Sequence, residues 1–151
     1  MASKFTRYFA KRVFNNEGDF RMISIIIFAC IGLCIAVYTY VIERKIKEDP
    51  TYKSVCDISD RISCSKPIKS AYANVFFFSN AVMGILFYVL VGILAFFHAP
   101  ILLLITMVAG CISSCVFAYI LYFKIKALCL LCTSLYVVNG ILLYLVIRMM
   151  L

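Results

Sequence analysis

Motifs for holding nucleotides or metal ions are missing from this 151-residue sequence. It has no G-x-G-x-x-G loop, no P-loop and a single histidine, His98, so we expect neither a nucleotide site nor a histidine-based metal site. Acidic residues are also few, with 7 Asp and Glu against 15 Lys and Arg and a net charge of +8. The basic residues lie in loops and at the chain ends, and they form no helix face interleaved with aromatics. Nucleic acid is therefore not an expected partner.

Long polar stretches are scarce as well. Hydrophobic residues make up 65% of the chain and the mean hydropathy is +1.03, well above the range of soluble domains. Four apolar runs are long enough to cross a bilayer as helices. We place these spans at about 22–42, 76–97, 101–123 and 127–147. The sequence thus predicts a single all-α domain over residues 1–151: an integral membrane four-helix transmembrane bundle, surrounded by lipid, with a cysteine-bearing extramembrane loop at 43–75.

The number of spans decides which loops share a side of the membrane. With four spans, the loop after the first and the loop after the third lie on the same side, whichever way the chain is inserted. Disulfide chemistry belongs in the lumen of the endoplasmic reticulum or in the periplasm, so we expect both termini in the cytoplasm. The basic stretch 1–21 is interpreted either as an amphipathic helix on the membrane surface or as a mobile tail.

Cysteine is abundant, with 8 residues that fall into pairs. The pairs are Cys30/Cys34, Cys56/Cys64, Cys111/Cys115 and Cys129/Cys132. The first and third pairs lie inside predicted spans at one-turn spacing, and we interpret them as small packing residues. The second pair lies in the loop after span 1 and the fourth at the mouth of the last span. Because the loops after the first and third spans lie on the same side of the membrane, these two pairs are predicted to meet at one membrane face.

Four cysteines at one face admit three interpretations. A structural zinc site needs close pairs as knuckles, and the C-x7-C spacing of Cys56 and Cys64 is too wide for a usual one. Static structural disulfides are a second interpretation. A thiol–disulfide relay is favoured, because the C-x-x-C ring of Cys129 and Cys132 is strained and such thiols are tuned towards exchange.

A relay needs a terminal electron carrier, and a lipid-soluble quinone suits a thiol pair just under the membrane interface. Three polar residues near that depth are candidates to orient it: Ser70, Asn80 and Tyr136. Polar groups inside spans are costly and suggest function by default. Two other interpretations stay open at this point: Asn80 as a hydrogen bond between helices, and Tyr136 as an aromatic residue of the interface belt.

The order of three motifs resembles the vitamin K epoxide reductase family. The first is C-x7-C from Cys56, the second is S-N-x-x-x-G-x-x-F-Y from Ser79, and the third is C-x-x-C-x-x-x-Y from Cys129. The resemblance covers about residues 54–140. In the other quinone-linked, disulfide-forming family of bacteria the C-x-x-C pair lies in the first loop, so the order argues against that family.

The resemblance implies a role for each of the four cysteines. Cys132 is the thiol next to the quinone ring, and Cys129 is its exchange partner. Cys64 forms a mixed disulfide with Cys129. Cys56 is the outer thiol, which meets a thioredoxin-fold partner protein. The sequence shows no fused thioredoxin domain, so we expect that partner to be a separate protein.

The resemblance also implies a quinone-binding set. Asn80 and Tyr136 match the residues that hydrogen-bond the quinone oxygens, and Ser70 matches a serine that positions the cap formed by the loop. Phe87 and Tyr88, from the second motif, complete the set. The expected substrate is a quinone (vitamin K, its epoxide, ubiquinone or menaquinone), and no metal is expected.

These features imply a quinone-linked thiol–disulfide oxidoreductase of the vitamin K epoxide reductase type. Electrons pass from the partner through Cys56/Cys64 to Cys129/Cys132 and on to vitamin K epoxide or quinone. One alternative is a disulfide-forming oxidase that uses ubiquinone or menaquinone, and a second is a non-enzymatic scaffold with disulfide-stapled loops. We expect the endoplasmic reticulum membrane, with the bacterial inner membrane as the alternative, and redox cysteines facing the lumen or periplasm.

Overall fold

The structure is a computed structural model that describes residues 16–71, 74–75 and 78–151. Most of the basic N-terminal stretch, for which a surface helix or a mobile tail is expected, lies outside the described residues. The α-helices are α1 (Asn16–Glu48), α2 (Ser65–Lys69), α3 (Asn80–Phe96), α4 (Pro100–Tyr119) and α5 (Leu130–Met150). Two short strands, β1 (Asn74–Val75) and β2 (Phe78–Ser79), pair antiparallel with Asn74 opposite Ser79. A π-helical turn, Ile120–Ile125, extends α4.

Four apolar helices form an all-α membrane bundle, so the expected fold class is confirmed. Within the described residues, three segments are long and apolar enough to cross a membrane: Phe20–Glu48, Pro100–Ile125 and Leu130–Met150. The fourth helix, α3, is equally apolar but has 17 residues. At 1.5 Å per residue it is about 26 Å long, slightly less than the hydrocarbon core of a bilayer.

Helix α3 begins at Asn80, four residues after the start of the predicted span. The reason is local, because Ser79 has an extended backbone and its side chain accepts a hydrogen bond from the Ala81 amide, which caps the helix. Helix α5 likewise begins at Leu130, after the 127 predicted for the last span. Lys126 has a left-handed backbone with φ of 54°, which ends the π-helical turn before the chain enters α5.

The core of the bundle is built from small and branched side chains. Helix α1 packs against α3 and α5, and α4 packs against the same two helices. Gly32 of α1 and Gly110 of α4 allow close approach, because a Cβ atom at either would collide with the ring of Tyr88 or of Phe87, respectively. Large side chains on the outer surface are exposed, as in Phe96 at 74%, which is the pattern expected of a lipid-facing surface.

The cysteine loop folds back onto the end of the bundle where α5 begins. Ile62 pairs with Leu128 in a parallel bridge. The Ser63 amide donates to the Leu128 carbonyl over 3.0 Å, and the Leu128 amide donates to the Arg61 carbonyl over 2.6 Å. The loop after α1 and the connection before α5 are therefore held together by backbone hydrogen bonds.

Candidate active site

Four cysteines gather where the loop meets the first turn of α5. Cys64 and Cys129 are buried at 1% exposure each and pack with Leu121. Cys56 and Cys132 are half-buried and pack against this cluster, and so does Tyr136. All eight cysteines lie within the described residues and all are free thiols.

The start of α5 positions the C-x-x-C pair. Cys129 is the N-cap residue, and its sulfur accepts a hydrogen bond from the Cys132 amide over 3.2 Å. Its carbonyl accepts from the Thr133 hydroxyl over 2.8 Å. The Cys132 amide favours a negative charge on this sulfur, but the neighbouring Cys132 thiol and burial outweigh it and raise the pKa of Cys129 to about 12.

The four thiols pack in one cluster, and each lies close enough to its neighbour in the series to affect its pKa. Cys56 interacts with Cys64, Cys64 with Cys129, and Cys129 with Cys132. Each of these pairs matches one exchange step of a relay. The series begins at the half-buried Cys56 in the loop and ends at Cys132, on the first turn of a helix able to cross the membrane.

The loop thiols are held in their neutral form. Burial raises the pKa of Cys56 to about 11, together with its contact with Cys64 and the negative charge of Asp57. The neighbouring Cys129 thiol and burial also raise the pKa of Cys64. Near neutral pH these thiols are therefore protonated, and exchange begins only when one of them loses its proton.

A carboxylate between the two loop cysteines organises the loop. Asp57 accepts hydrogen bonds from the Ser54 amide over 2.9 Å, from the Ser63 hydroxyl over 2.7 Å and from the Ser65 amide over 3.1 Å. The Ser65 hydroxyl donates to it as well. Burial alone would raise the pKa of Asp57, but the hydrogen bonds from Ser65 and Ser63 outweigh burial and hold the pKa well below its usual range. Asp57 was not among the predicted site residues, although Ser63 and Ser65 on either side of Cys64 were a local signal for a hydrogen-bond acceptor.

The predicted quinone residues lie in different parts of the bundle. Tyr136 packs against the cysteine cluster. Asn80 is half-buried on the first turn of α3, at the end of the helix that receives the loop. Ser70 follows α2, and its hydroxyl donates to the Pro67 carbonyl over 2.7 Å. Tyr136 is thus the member of the set that the structure brings to the cysteines.

Phe87 and Tyr88 lie in the main core of the bundle instead. Tyr88 is 3% exposed, and its hydroxyl donates to the Asn139 side-chain oxygen over 2.8 Å. The Asn139 amide in turn donates to the Ser114 hydroxyl over 2.8 Å. The quinone-binding role of Phe87 and Tyr88 stays a prediction. Asn139 was not among the predicted site residues, although a polar side chain inside an apolar span was a usable signal.

The buried carboxylate of Glu43 was not identified from the sequence. Glu43, near the end of α1, is 4% exposed. It pairs with the Lys47 ammonium over 2.7 Å and accepts a hydrogen bond from the Ser79 hydroxyl. Glu43 stands in a stretch with many charged residues. The sequence of such a stretch does not show which of its charges will be buried.

Comparison with known proteins locates the same region. A family model described as "Vitamin K epoxide reductase family" matches residues 23–147. The mouse (Mus musculus) protein "Vitamin K epoxide reductase complex subunit 1" is 29% identical over 124 aligned residues, which cover 72% of this chain and 77% of the mouse protein. The rat (Rattus norvegicus) protein of the same name is 27% identical over 125 residues, covering 72% and 78%. The matched range contains all four cysteines of the cluster.

Proposed function

Because the chain belongs to the vitamin K epoxide reductase family, we propose that it is a quinone-linked thiol–disulfide oxidoreductase of the membrane. The observation that carries the proposal is the packing of Cys56, Cys64, Cys129 and Cys132 in one cluster at the end of the bundle. Electrons enter from a thioredoxin-fold partner at Cys56 and leave at Cys132. The acceptor is vitamin K epoxide or vitamin K quinone.

The first step transfers two electrons and two protons from the Cys129/Cys132 dithiol. A quinone becomes a hydroquinone, or an epoxide becomes a quinone and water, and a disulfide forms between the two cysteines. The Cys64 thiolate then attacks the sulfur of Cys129 and displaces Cys132 as a thiolate, which takes up the proton that Cys64 lost.

The second exchange moves the disulfide out of the bundle. Cys56 attacks Cys64 and releases Cys129, which leaves a disulfide between Cys56 and Cys64. A partner dithiol reduces this bond by the same chemistry and is itself oxidised. Two strongly exposed apolar side chains flank Cys56, Val55 at 83% and Ile58 at 69%. They support the docking of a partner protein at this thiol.

The structure supports some of the proposed quinone contacts better than others. Tyr136 is the best supported, because it packs against the cysteine cluster. Asn80 and Ser70 lie at the same end of the bundle and are proposed as a hydrogen-bond donor to the quinone and as a support of the loop cap. We place the protein in the endoplasmic reticulum membrane with this end in the lumen.

The deciding experiment measures turnover in membranes with vitamin K epoxide, vitamin K quinone and ubiquinone side by side. Cys129→Ala and Cys132→Ala should each abolish turnover and leave a folded bundle. Cys30→Ala, an exposed cysteine of α1, is the matched control and should retain turnover. Near-normal turnover by either active-site variant would contradict the relay. Turnover with ubiquinone alone would favour the disulfide-forming oxidase instead.

A further inference from the structure

The loop that carries Cys56 and Cys64 has to bring together two thiols separated by seven residues. Bringing the ends of a free loop of that length together costs conformational entropy. In the structure the two thiols pack in the same cluster. Backbone hydrogen bonds from the Ile58 and Ser59 amides to the Ile62 carbonyl close the turn between them, and a side chain adds a second restraint.

The Asp57 side chain supplies that restraint. One of its oxygens accepts from the Ser63 hydroxyl and the Ser65 amide, on either side of Cys64. The other accepts from the Ser54 amide, two residues before Cys56, and from the Ser65 hydroxyl. A single carboxylate thus bridges the two cysteine-bearing segments without using either sulfur. The restraint can persist when the thiols become a disulfide.

We propose that Asp57 is a positioning residue that holds Cys56 and Cys64 together and thereby favours the disulfide of this pair over its dithiol. The inference rests on the proposed function, because it concerns the pair that passes electrons inward. Pre-organised thiols have a higher effective concentration, which favours their disulfide over the dithiol.

The test measures the thiol–disulfide equilibrium of this pair in glutathione buffers. The full-length protein carries Cys129→Ala and Cys132→Ala, so that only the loop pair exchanges, and alkylation followed by mass spectrometry gives the oxidised fraction. Asp57→Asn should lower the equilibrium constant for the disulfide about tenfold, which corresponds to a potential about 30 mV higher. Asp60→Asn is the matched control, since it removes the same charge from the same loop. Its carboxylate is fully exposed, 3.8 Å from the Lys66 ammonium, and it should change the constant less than twofold.

A second variant tests whether the effect of Asp57→Asn comes from general disruption of the loop. Ser65→Ala removes one hydroxyl donor to Asp57 and keeps the charge, so it should lower the constant in the same direction by a smaller factor. Equal constants for Asp57→Asn and Asp60→Asn would overturn the positioning role and leave the relay standing. Failure of the parent protein to form the disulfide at any glutathione ratio would overturn the relay, and the positioning role with it.

Discussion

Individual polar side chains in the bundle interior are bonded across helices. Tyr88 of α3 reaches Asn139 of α5, and Asn139 reaches Ser114 of α4. The Cys111 thiol adds a weak donation to the Asn139 carbonyl over 3.6 Å. Such bonds inside a membrane bundle contribute about 0.6–2 kcal/mol each. The chain of side chains therefore fixes the rotation of three helices relative to one another.

Tyr88→Phe tests whether this tyrosine is structural. The variant keeps the ring against Gly32 and loses the hydroxyl, so unfolding in detergent should become easier by about 1 kcal/mol. Turnover per folded molecule should stay near normal. Tyr144→Phe, on the exposed side of α5 at 59%, controls for the loss of a hydroxyl alone. A fall in turnover at unchanged stability would instead support the quinone contact expected from the resemblance.

The raised pKa of Cys56 predicts an unusual pH dependence. Only the thiolate reacts with an alkylating reagent, and with a pKa of about 11 the thiolate fraction grows about tenfold per pH unit from 7 to 10. An ordinary thiol levels off above about pH 9. Peptide mass spectrometry of Cys56 alkylation across this range checks the slope. Cys64→Ala removes one cause of the shift and should move the break to lower pH, whereas a plateau above pH 9 in the parent protein would contradict the assignment.

At the scale of elements, the end of α1 holds the start of α3. Glu43 accepts from the Ser79 hydroxyl, and Ser79 in turn caps α3 by accepting from the Ala81 amide over 3.2 Å. Lys47, one turn further along α1, pairs with the same carboxylate. The position of Asn80, which follows Ser79 directly, therefore depends on a carboxylate of another helix.

Glu43→Gln should weaken this junction. The amide keeps the size of the side chain but loses the charge that strengthens both hydrogen bonds, so the free energy of unfolding should fall by about 1–2 kcal/mol. Glu48→Gln, an exposed position at the end of the same helix, is the control and should change stability little. Both are measured by thermal unfolding in detergent. If the two variants unfold alike, the buried carboxylate does not support the start of α3.

At the scale of the whole molecule, the redox cluster occupies one end of the bundle. The short helix α2 packs against α1 and against the π-helical turn, Ile120–Ile125, so the loop is closed over the first turn of α5. The other end of α3 turns directly into α4 at His98, which has a left-handed backbone with φ of 51°. The proposed electron entry and the proposed quinone exit therefore lie at the same end of the bundle.

Topology mapping tests the orientation of that face. With cytoplasmic termini, a membrane-impermeant maleimide should label Cys56 only after microsomes are permeabilised. Leu151→Cys provides the matched control in a variant lacking Cys56, and it should be labelled in sealed microsomes. Labelling of Cys56 without permeabilisation would reverse the proposed orientation.

The sequence by itself determined the fold class and the family. Hydropathy over a helix length is a local property, so the all-α membrane bundle could be predicted from apolar runs alone. The predicted ends of the spans were less accurate. Hydropathy does not reveal a capping side chain such as Ser79 or a residue with a left-handed backbone such as Lys126. The motif order led to the family, since the spacings of Cys56, Cys64, Cys129 and Cys132 are all visible in the chain.

Only the tertiary structure decided how the site is held. The contact of Cys64 with Cys129, the bond of Tyr88 to Asn139 and the bond of Glu43 to Ser79 join residues that are far apart in sequence. Such contacts depend on how each helix is rotated about its axis and on where the loop docks, and neither leaves a periodic trace in the sequence. Asp57 is an example among residues that are close in sequence. Ser54, Ser63 and Ser65 can be read from the sequence, but only the folded loop shows that all three donate hydrogen bonds to one carboxylate.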